Sequence, residues 1–139
     1  MKEIIINSDG AARGNPGPAA AGAVLKDPQG NVVSELSEYL GDNLTNNQAE
    51  YRALIMAIAE AKRLGATKLQ MFADSELMVK QICGEYRVKN EGIKPLFQEV
   101  MSLLRDVNKY TIDYVPREKN KRADGLANLA LDERKKLAL

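Results

Sequence analysis

Four acidic residues occupy positions where a lone negative charge is unfavourable. Asp9 and Asp74 each follow an apolar stretch, whereas Glu50 and Asp124 lie on the apolar sides of two predicted helices. Removing an ionised carboxylate from water is costly unless a cation or a set of hydrogen-bond donors receives it. A turn or cap role is an alternative for Asp9 and Asp74, but it fits Glu50 and Asp124 less well. Together the four positions predict a shared metal site.

The residue types favour Mg²⁺ or Mn²⁺ over zinc. The chain has no His and a single Cys, so the predicted ligands are oxygen atoms alone. Two such ions about 4 Å apart activate a water on one side of a phosphodiester and stabilise the departing oxygen on the other. The absence of His also excludes imidazole-based triads. Metal-assisted hydrolysis is therefore the leading enzymatic class, with metal binding without catalysis as the alternative.

The apolar patterns predict an α/β fold that brings these carboxylates together. Strands and helices are expected in the order three strands, helix, strand, two helices, strand, helix, which indicates a mixed five-stranded sheet with helices on its faces. The first three strands should be antiparallel. The predicted segments are strands at 2–8, 23–25, 32–40, 68–73 and 110–114 and helices at 46–64, 75–83, 93–107 and 120–131, with Thr45 or Asn46 capping the first helix and Asn120 the last. If the first and fourth strands are neighbours, Asp9 and Asp74 meet at one edge.

Composition sets broader limits. The 139 residues predict one domain, 1–139, and the net charge of +1 does not by itself indicate a nucleic-acid partner. A single cysteine, Cys83, predicts a reducing compartment, since no intramolecular disulfide can form. Neither a signal-peptide core nor an apolar run of membrane-spanning length is present in the sequence. We therefore expect a cytoplasmic protein without a membrane association.

Four motifs in this order resemble the type 1 ribonucleases H, and the likeness spans nearly the whole chain. They are Ser8–Gly17, Thr45–Glu50, Ala73–Ser75 and Pro116–Asp124. The resemblance implies a ribonuclease H-like fold and an endonuclease that cuts the RNA strand of RNA–DNA hybrids, leaving 3′-hydroxyl and 5′-phosphate ends. It further implies that two Mg²⁺ ions, with Mn²⁺ as a possible substitute, are held by the four carboxylates, namely Asp9, Glu50, Asp74 and Asp124.

The same resemblance implies residues that contact the substrate. Asn15, Asn46 and Asn47 match minor-groove contacts, where amides reach 2′-hydroxyls and base edges without reading sequence. Thr45 and Asn90 match residues that hold a phosphate of the DNA strand, which positions the duplex rather than specifying it. Ordinary turn and cap chemistry is the alternative for these loop residues.

The chain also departs from the family pattern. Many members carry a Trp-containing basic insertion that grips the hybrid, whereas this chain has no Trp and offers only Arg87, Lys89 and Lys94 there. The loop His near the last aspartate is missing as well, and Arg117 or Glu118 is a candidate replacement. We expect Arg117 to hold the scissile phosphate or the leaving product, with a surface role as the alternative.

These departures leave other functions open. One is a weakly active or inactive module that binds hybrids or other duplexes, and another is a related nuclease that acts on double-stranded RNA. A bare catalytic domain is expected, acting as a monomer with no obligate protein partner.

Overall fold

A computed structural model, which describes residues 2–137, contains one five-stranded sheet with the spatial order β3-β2-β1-β4-β5. The first three strands pair antiparallel, and β4 and β5 run parallel to β1. The predicted mixed sheet with an antiparallel first half is confirmed. The strands are β1 (Glu3–Ala12), β2 (Gly17–Lys26), β3 (Val32–Leu44), β4 (Lys68–Ala73) and β5 (Lys109–Tyr114).

Four α-helices accompany the sheet, and they follow the predicted order along the chain. Within residues 2–137 no helix is both long and apolar enough to cross a membrane. The helices are α1 (Asn46–Arg63), α2 (Glu76–Ile82), α3 (Lys94–Leu104) and α4 (Lys121–Leu137), with a short 3₁₀ turn at Arg117–Lys119 before α4.

The two faces of the sheet bury different helices. Successive residues of a strand point to opposite faces, so Ile4 and Ile6 lie on one face and Ala11 on the other. The first face packs against α1, α2 and α3 in one large apolar cluster. The second face packs against α4 through a smaller cluster that contains Ala20 and Leu131. Strand β1, at the centre of the sheet, is therefore covered on both faces.

Several predicted boundaries were wrong. Strand β1 does not end at Ser8 but continues through Asp9 to Ala12, because these residues pair with Ala19–Gly22 of β2. Strand β3 likewise extends to Leu44, and α3 ends at Leu104 rather than at Val107. The first change matters for function, since it places Asp9 inside a paired strand rather than in the turn after it.

Candidate active site

Three carboxylates from separate elements converge at one end of the central strands. Asp9 lies in β1, Glu50 in α1, and Asp74 directly after β4. Each offers an oxygen atom, and these atoms all lie within 4.8 Å of one another. Asp9 and Asp74 follow Ser8 and Ala73, which are partners in the parallel pairing of β1 with β4. The predicted meeting of Asp9 and Asp74 is therefore present, and we call these three residues the carboxylate cluster.

Glu50 reaches the cluster because Gly10 has no side chain. A Cβ atom at Gly10 would lie 2.1 Å from the backbone carbonyl of Ala49, so α1 approaches β1 more closely than any larger residue would permit. The Gly10 amide also donates a hydrogen bond to Glu50 Oε1 at 2.5 Å. Backbone packing and this hydrogen bond together hold the Glu50 carboxylate above β1.

The carboxylate cluster is unfavourable for negative charge unless a cation binds. Burial, together with the charges of Glu50 and Asp74, raises the pKa of Asp9 to about 10. Burial, followed by the charge of Asp74, raises the pKa of Glu50 to about 8. Oxygen atoms are the only ligands that the three side chains offer, and hard divalent cations prefer oxygen. The donor set therefore fits Mg²⁺ or Mn²⁺.

Asp124 lies at the edge of the carboxylate cluster, in the first turn of α4. The Asp124 side chain contributes to the raised pKa of Asp9, which indicates that the two carboxyl groups lie near each other. Asp124 Oδ1 also lies 3.4 Å from a guanidinium nitrogen of Arg117. This contact with Asp124 raises the pKa of Arg117. The structure thus brings all four predicted carboxylates and Arg117 to one place.

A second glycine permits this position of α4. Gly22 of β2 pairs with Asp9, and a Cβ atom there would lie 2.1 Å from the carbonyl oxygen of Ala123 and 2.6 Å from the Ala127 nitrogen. The first turn of α4 therefore rests directly on the strand backbone. Asp124, which follows Ala123, is held over the strand that carries Asp9.

The predicted cap at Asn120 takes a different role. Its Nδ2 donates to the carbonyl oxygen of Ser8 at 2.8 Å, and its Oδ1 accepts from Asn7 Nδ2 at 3.0 Å. The Asn120 side chain is 2% exposed. It therefore fastens the start of α4 to β1 next to Asp9, instead of capping the helix.

A cleft of about 590 Å³ opens over the carboxylate cluster. It contains the three cluster residues and Arg117, and two of the predicted amide residues, Asn46 and Asn47, line it as well. Asp124, Asn15, Thr45 and Asn90 lie outside the lining. Three further lining residues lie outside the four sequence motifs, namely Leu77, Tyr114 and Asn128, and Arg13 lies within the first motif without having been predicted as a site residue.

The amide residues near the cleft tie the β1–β2 loop to the start of α1. Asn15 Oδ1 accepts from the backbone nitrogen of Asn46 at 3.0 Å, and Asn46 Oδ1 accepts from that of Ala12 at 2.9 Å. Asn47 Oδ1 is buried without a hydrogen-bond partner among residues 2–137. Because the oxygen atoms of Asn15 and Asn46 are engaged, their NH₂ groups are the atoms left to donate to a ligand.

Thr45 and Asn90 both lie near Gln48, in the first turn of α1. Thr45 caps the helix through a reciprocal pair of hydrogen bonds with Gln48, which confirms the cap prediction. Asn90 Oδ1 accepts from the Gly92 nitrogen at 2.7 Å. A Cβ at Gly92 would lie 3.1 Å from Asn90 Oδ1 and 3.2 Å from Gln48 Nε2, so the α2–α3 connection lies against this cap. A hydroxyl, two amides and a helix N-terminus thus share one small surface.

Comparison with known proteins identifies the family. A family model described as Reverse transcriptase-like matches residues 7–130. Ribonuclease HI of Halobacterium salinarum is 42% identical over 125 residues, covering 90% of this chain and 62% of that protein. The chain belongs to the ribonuclease H family. Bifunctional protein Rv2228c of Mycobacterium tuberculosis is 38% identical over 130 residues, which cover 94% of this chain. The chain spans only 36% of the length of that relative.

Solved ribonuclease H structures share the whole architecture. The N-terminal RNase H domain of Rv2228c superposes with a TM-score of 0.94 at 37% identity, with both chains fully covered. The crystal structure of LC11-RNase H1 in complex with an RNA/DNA hybrid gives a TM-score of 0.89 at 41% identity, covering 94% of this chain and 98% of that one. The ribonuclease H-like fold expected from the sequence motifs is confirmed.

Proposed function

We propose that this chain is a metal-dependent endoribonuclease that hydrolyses the RNA strand of RNA–DNA hybrids, leaving 3′-hydroxyl and 5′-phosphate ends. The convergence of Asp9, Glu50 and Asp74 within 4.8 Å is the observation that carries the proposal. The LC11-RNase H1 complex, in which a protein of the same fold holds an RNA/DNA hybrid, supports the substrate. Residues 1–139 would form a single catalytic domain.

The four carboxylates would hold two divalent cations, Mg²⁺ or Mn²⁺. When bound, such ions supply an activated water and stabilise the oxygen that leaves the phosphorus. Asp9 and Glu50 are well suited to this role, because their buried carboxylates lack a positive partner within the carboxylate cluster. Asp74 and Asp124 complete an oxygen-only ligand set around them.

Arg117 would hold the scissile phosphate or the product that leaves. Its side chain is 75% exposed and lines the cleft, so a phosphate could reach it without any rearrangement of the backbone. A guanidinium pairs readily with phosphate oxygens through two parallel hydrogen bonds. Arg117 lies 3.4 Å from Asp124, so its positive charge would lie beside the proposed site of cleavage.

The amides of Asn15, Asn46 and Asn47 would contact the minor groove of the hybrid. Asn46 and Asn47 line the cleft, and Asn15 is hydrogen-bonded to the Asn46 backbone. NH₂ groups donate to 2′-hydroxyls, which is how a protein distinguishes RNA from DNA at a given position. These three side chains would therefore select the strand that is cut.

Thr45 and Asn90 would hold a phosphate of the DNA strand. Both lie near the N-terminus of α1, where the helix dipole favours an anion. Residues 83–93, which join α2 to α3, contain no helix in the structure. Hybrid affinity should be modest, because this connection supplies only Arg87 and Lys89, with Lys94 following at the start of α3.

The first experiment is cleavage of a uniformly labelled RNA–DNA hybrid in Mg²⁺ and in Mn²⁺. RNA–RNA, DNA–DNA and single-stranded RNA serve as substrate controls, and Asp74→Asn serves as the blank because it removes a charge but little volume. RNA-strand cuts confined to the hybrid and absent from the variant are expected. Hybrid binding without cuts would refute the proposed nuclease activity and favour a duplex-binding module. Cuts in RNA–RNA alone would indicate a double-stranded RNA nuclease.

Arg117→Ala tests the proposed replacement for the missing loop His. Loss of a charge-assisted contact to the reacting phosphate should lower kcat by about 10-fold or more, since such hydrogen bonds contribute roughly 1.5–3 kcal/mol. Lys119→Ala is the matched control, because Lys119 lies in the same 3₁₀ turn but outside the cleft lining. Equal kcat in the Arg117 variant and the wild type would show that Arg117 is an ordinary surface residue with no role in cleavage.

A further inference from the structure

A chain of polar contacts runs from Asp124 along α4 to the β1–β2 loop. Asn128, one helical turn after Asp124, donates from Nδ2 to Asp124 Oδ1 at 3.2 Å and to its carbonyl oxygen at 3.0 Å. Asn128 Oδ1 accepts from Arg13 Nη2 at 3.2 Å. Arg13 is in turn paired with Asp132 at 2.7 Å. We call Arg13, Asn128 and Asp132 the Asp124 support.

The order of donors and acceptors fixes the orientation of the Asn128 amide. A guanidinium can only donate hydrogen bonds, so the amide end that faces Arg13 must be the oxygen. The NH₂ end then faces Asp124, which accepts from it. Asp132, one turn further along α4, forms an ion pair with Arg13. The orientation of each side chain in the Asp124 support is therefore defined by its partner.

Asp124 needs this support more than the other three carboxylates do. It lies in the first turn of a helix, and it is absent from the group of oxygen atoms that lie within 4.8 Å of one another. Its contact with Arg117 is long, at 3.4 Å, and Arg117 is 75% exposed. Asn128, by contrast, is a half-buried partner of Asp124 on the same helix, and it lines the cleft.

We propose that Asn128 is a positioning residue that aims the Asp124 carboxylate at the metal site, and that Arg13 fixes the amide orientation this requires. The proposal rests on the proposed function, because it assumes that Asp124 is a metal ligand. Groups that orient metal ligands from outside the ligand set typically change metal affinity or activity by about 10- to 100-fold when they are removed. A surface network without this role would change neither.

The test measures Mn²⁺ binding to the free protein by electron paramagnetic resonance, without nucleic acid. Asn128→Ala should weaken Mn²⁺ binding by about 10-fold. Leu129→Ala is the control for general effects on α4, since Leu129 is an exposed neighbour on the same helix, and it should bind Mn²⁺ like the wild type. In an Asp124→Asn background, Asn128→Ala should have no further effect, because the residue that it positions no longer acts as a ligand.

Arg13→Gln provides a second variant that spares the helix. It should weaken Mn²⁺ binding less than Asn128→Ala does, and the double variant should bind no more weakly than Asn128→Ala alone. Additive losses, or wild-type binding by Asn128→Ala, would overturn the positioning role. If the wild type binds no Mn²⁺ at all, the proposed function itself fails, so the two failures give different results.

Discussion

Replacing Gly22 with Ala should separate α4 from the sheet and disturb the site through Asp124. A Cβ at this position would lie 2.1 Å from the Ala123 oxygen, whereas ordinary contact begins at 3.4 Å, a shortfall of 1.3 Å. The obstacle is helix backbone on both sides, since the Ala127 nitrogen is 2.6 Å away, so no side-chain rotation relieves the clash. The first turn of α4 must therefore move by about an ångström, and Asp124 must move with it.

The expected magnitudes follow from this displacement. Overpacking of this kind costs about 1–3 kcal/mol, which corresponds to a Tm lower by about 3–10 °C in a domain of this size. A misplacement of about 1 Å at a catalytic ligand costs on the order of 100-fold in rate. Thermal unfolding and hybrid cleavage in Mg²⁺ measure the two effects separately, and we expect the loss of rate well below the Tm of the variant.

Gly125→Ala is the matched control for Gly22→Ala. Gly125 adjoins Asp124 in α4, yet a Cβ there meets no atom within 4 Å. Alanine in a helix interior is favoured over glycine by roughly 0.5–1 kcal/mol, so this variant should unfold at a slightly higher temperature and keep its cleavage rate. If Gly22→Ala matches the wild type in both Tm and kcat, then α4 does not depend on the missing side chain and the reasoning is refuted.

Three further predictions concern α1 and the carboxylate cluster. Gly10→Ala should lower Tm and cleavage together, since its Cβ would lie 2.1 Å from the backbone of α1 ahead of Glu50. Thr45→Ala should destabilise the fold by about 1 kcal/mol in urea unfolding, whereas Thr45→Ser should keep the helix cap. The raised pKa values of Asp9 and Glu50, about 10 and about 8, mean that the folded state retains protons which the unfolded state releases above about pH 4. In EDTA, Tm should therefore fall as pH rises from 5 to 8, and Mg²⁺ should restore it most at pH 8; an unchanged Tm across this range would contradict the pKa values.

The sequence predicted the parts of the fold that depend on apolar periodicity. The helix that begins after Thr45 and the strand that ends before Asp74 were placed correctly, because their buried residues recur at regular spacing. The adjacency of the first and fourth strands was only a condition of the prediction, and the structure supplies it, which brings Asp9 and Asp74 together. The family motifs pointed to the same residues independently.

The remaining features depend on pairing across the sheet, which no local pattern reveals. Residues 10–12 are small and lack the β-branched side chains that indicate strands, yet they continue β1 because β2 pairs with them. Asn120 stands where a cap is usual, but the carbonyl of Ser8 is within reach of its side chain. Asn128 and Asp132 follow Asp124 at intervals of four residues, a signal that gains meaning only once Arg13 is known to face them.

The two glycines show how two neighbouring strands, β1 and β2, gather carboxylates from both faces of the sheet. Gly10 admits α1 on the face that carries Ile4 and Ile6, and Gly22, the partner of Asp9 in β2, admits α4 on the opposite face. Helix backbones therefore press on the sheet from both sides at the point where the carboxylate charges repel one another. Packing at these two contacts opposes the repulsion, since neither helix can withdraw its carboxylate without losing contact with the strand backbone. Metal binding and folding should consequently be coupled, because a cation removes the repulsion that this packing must otherwise overcome.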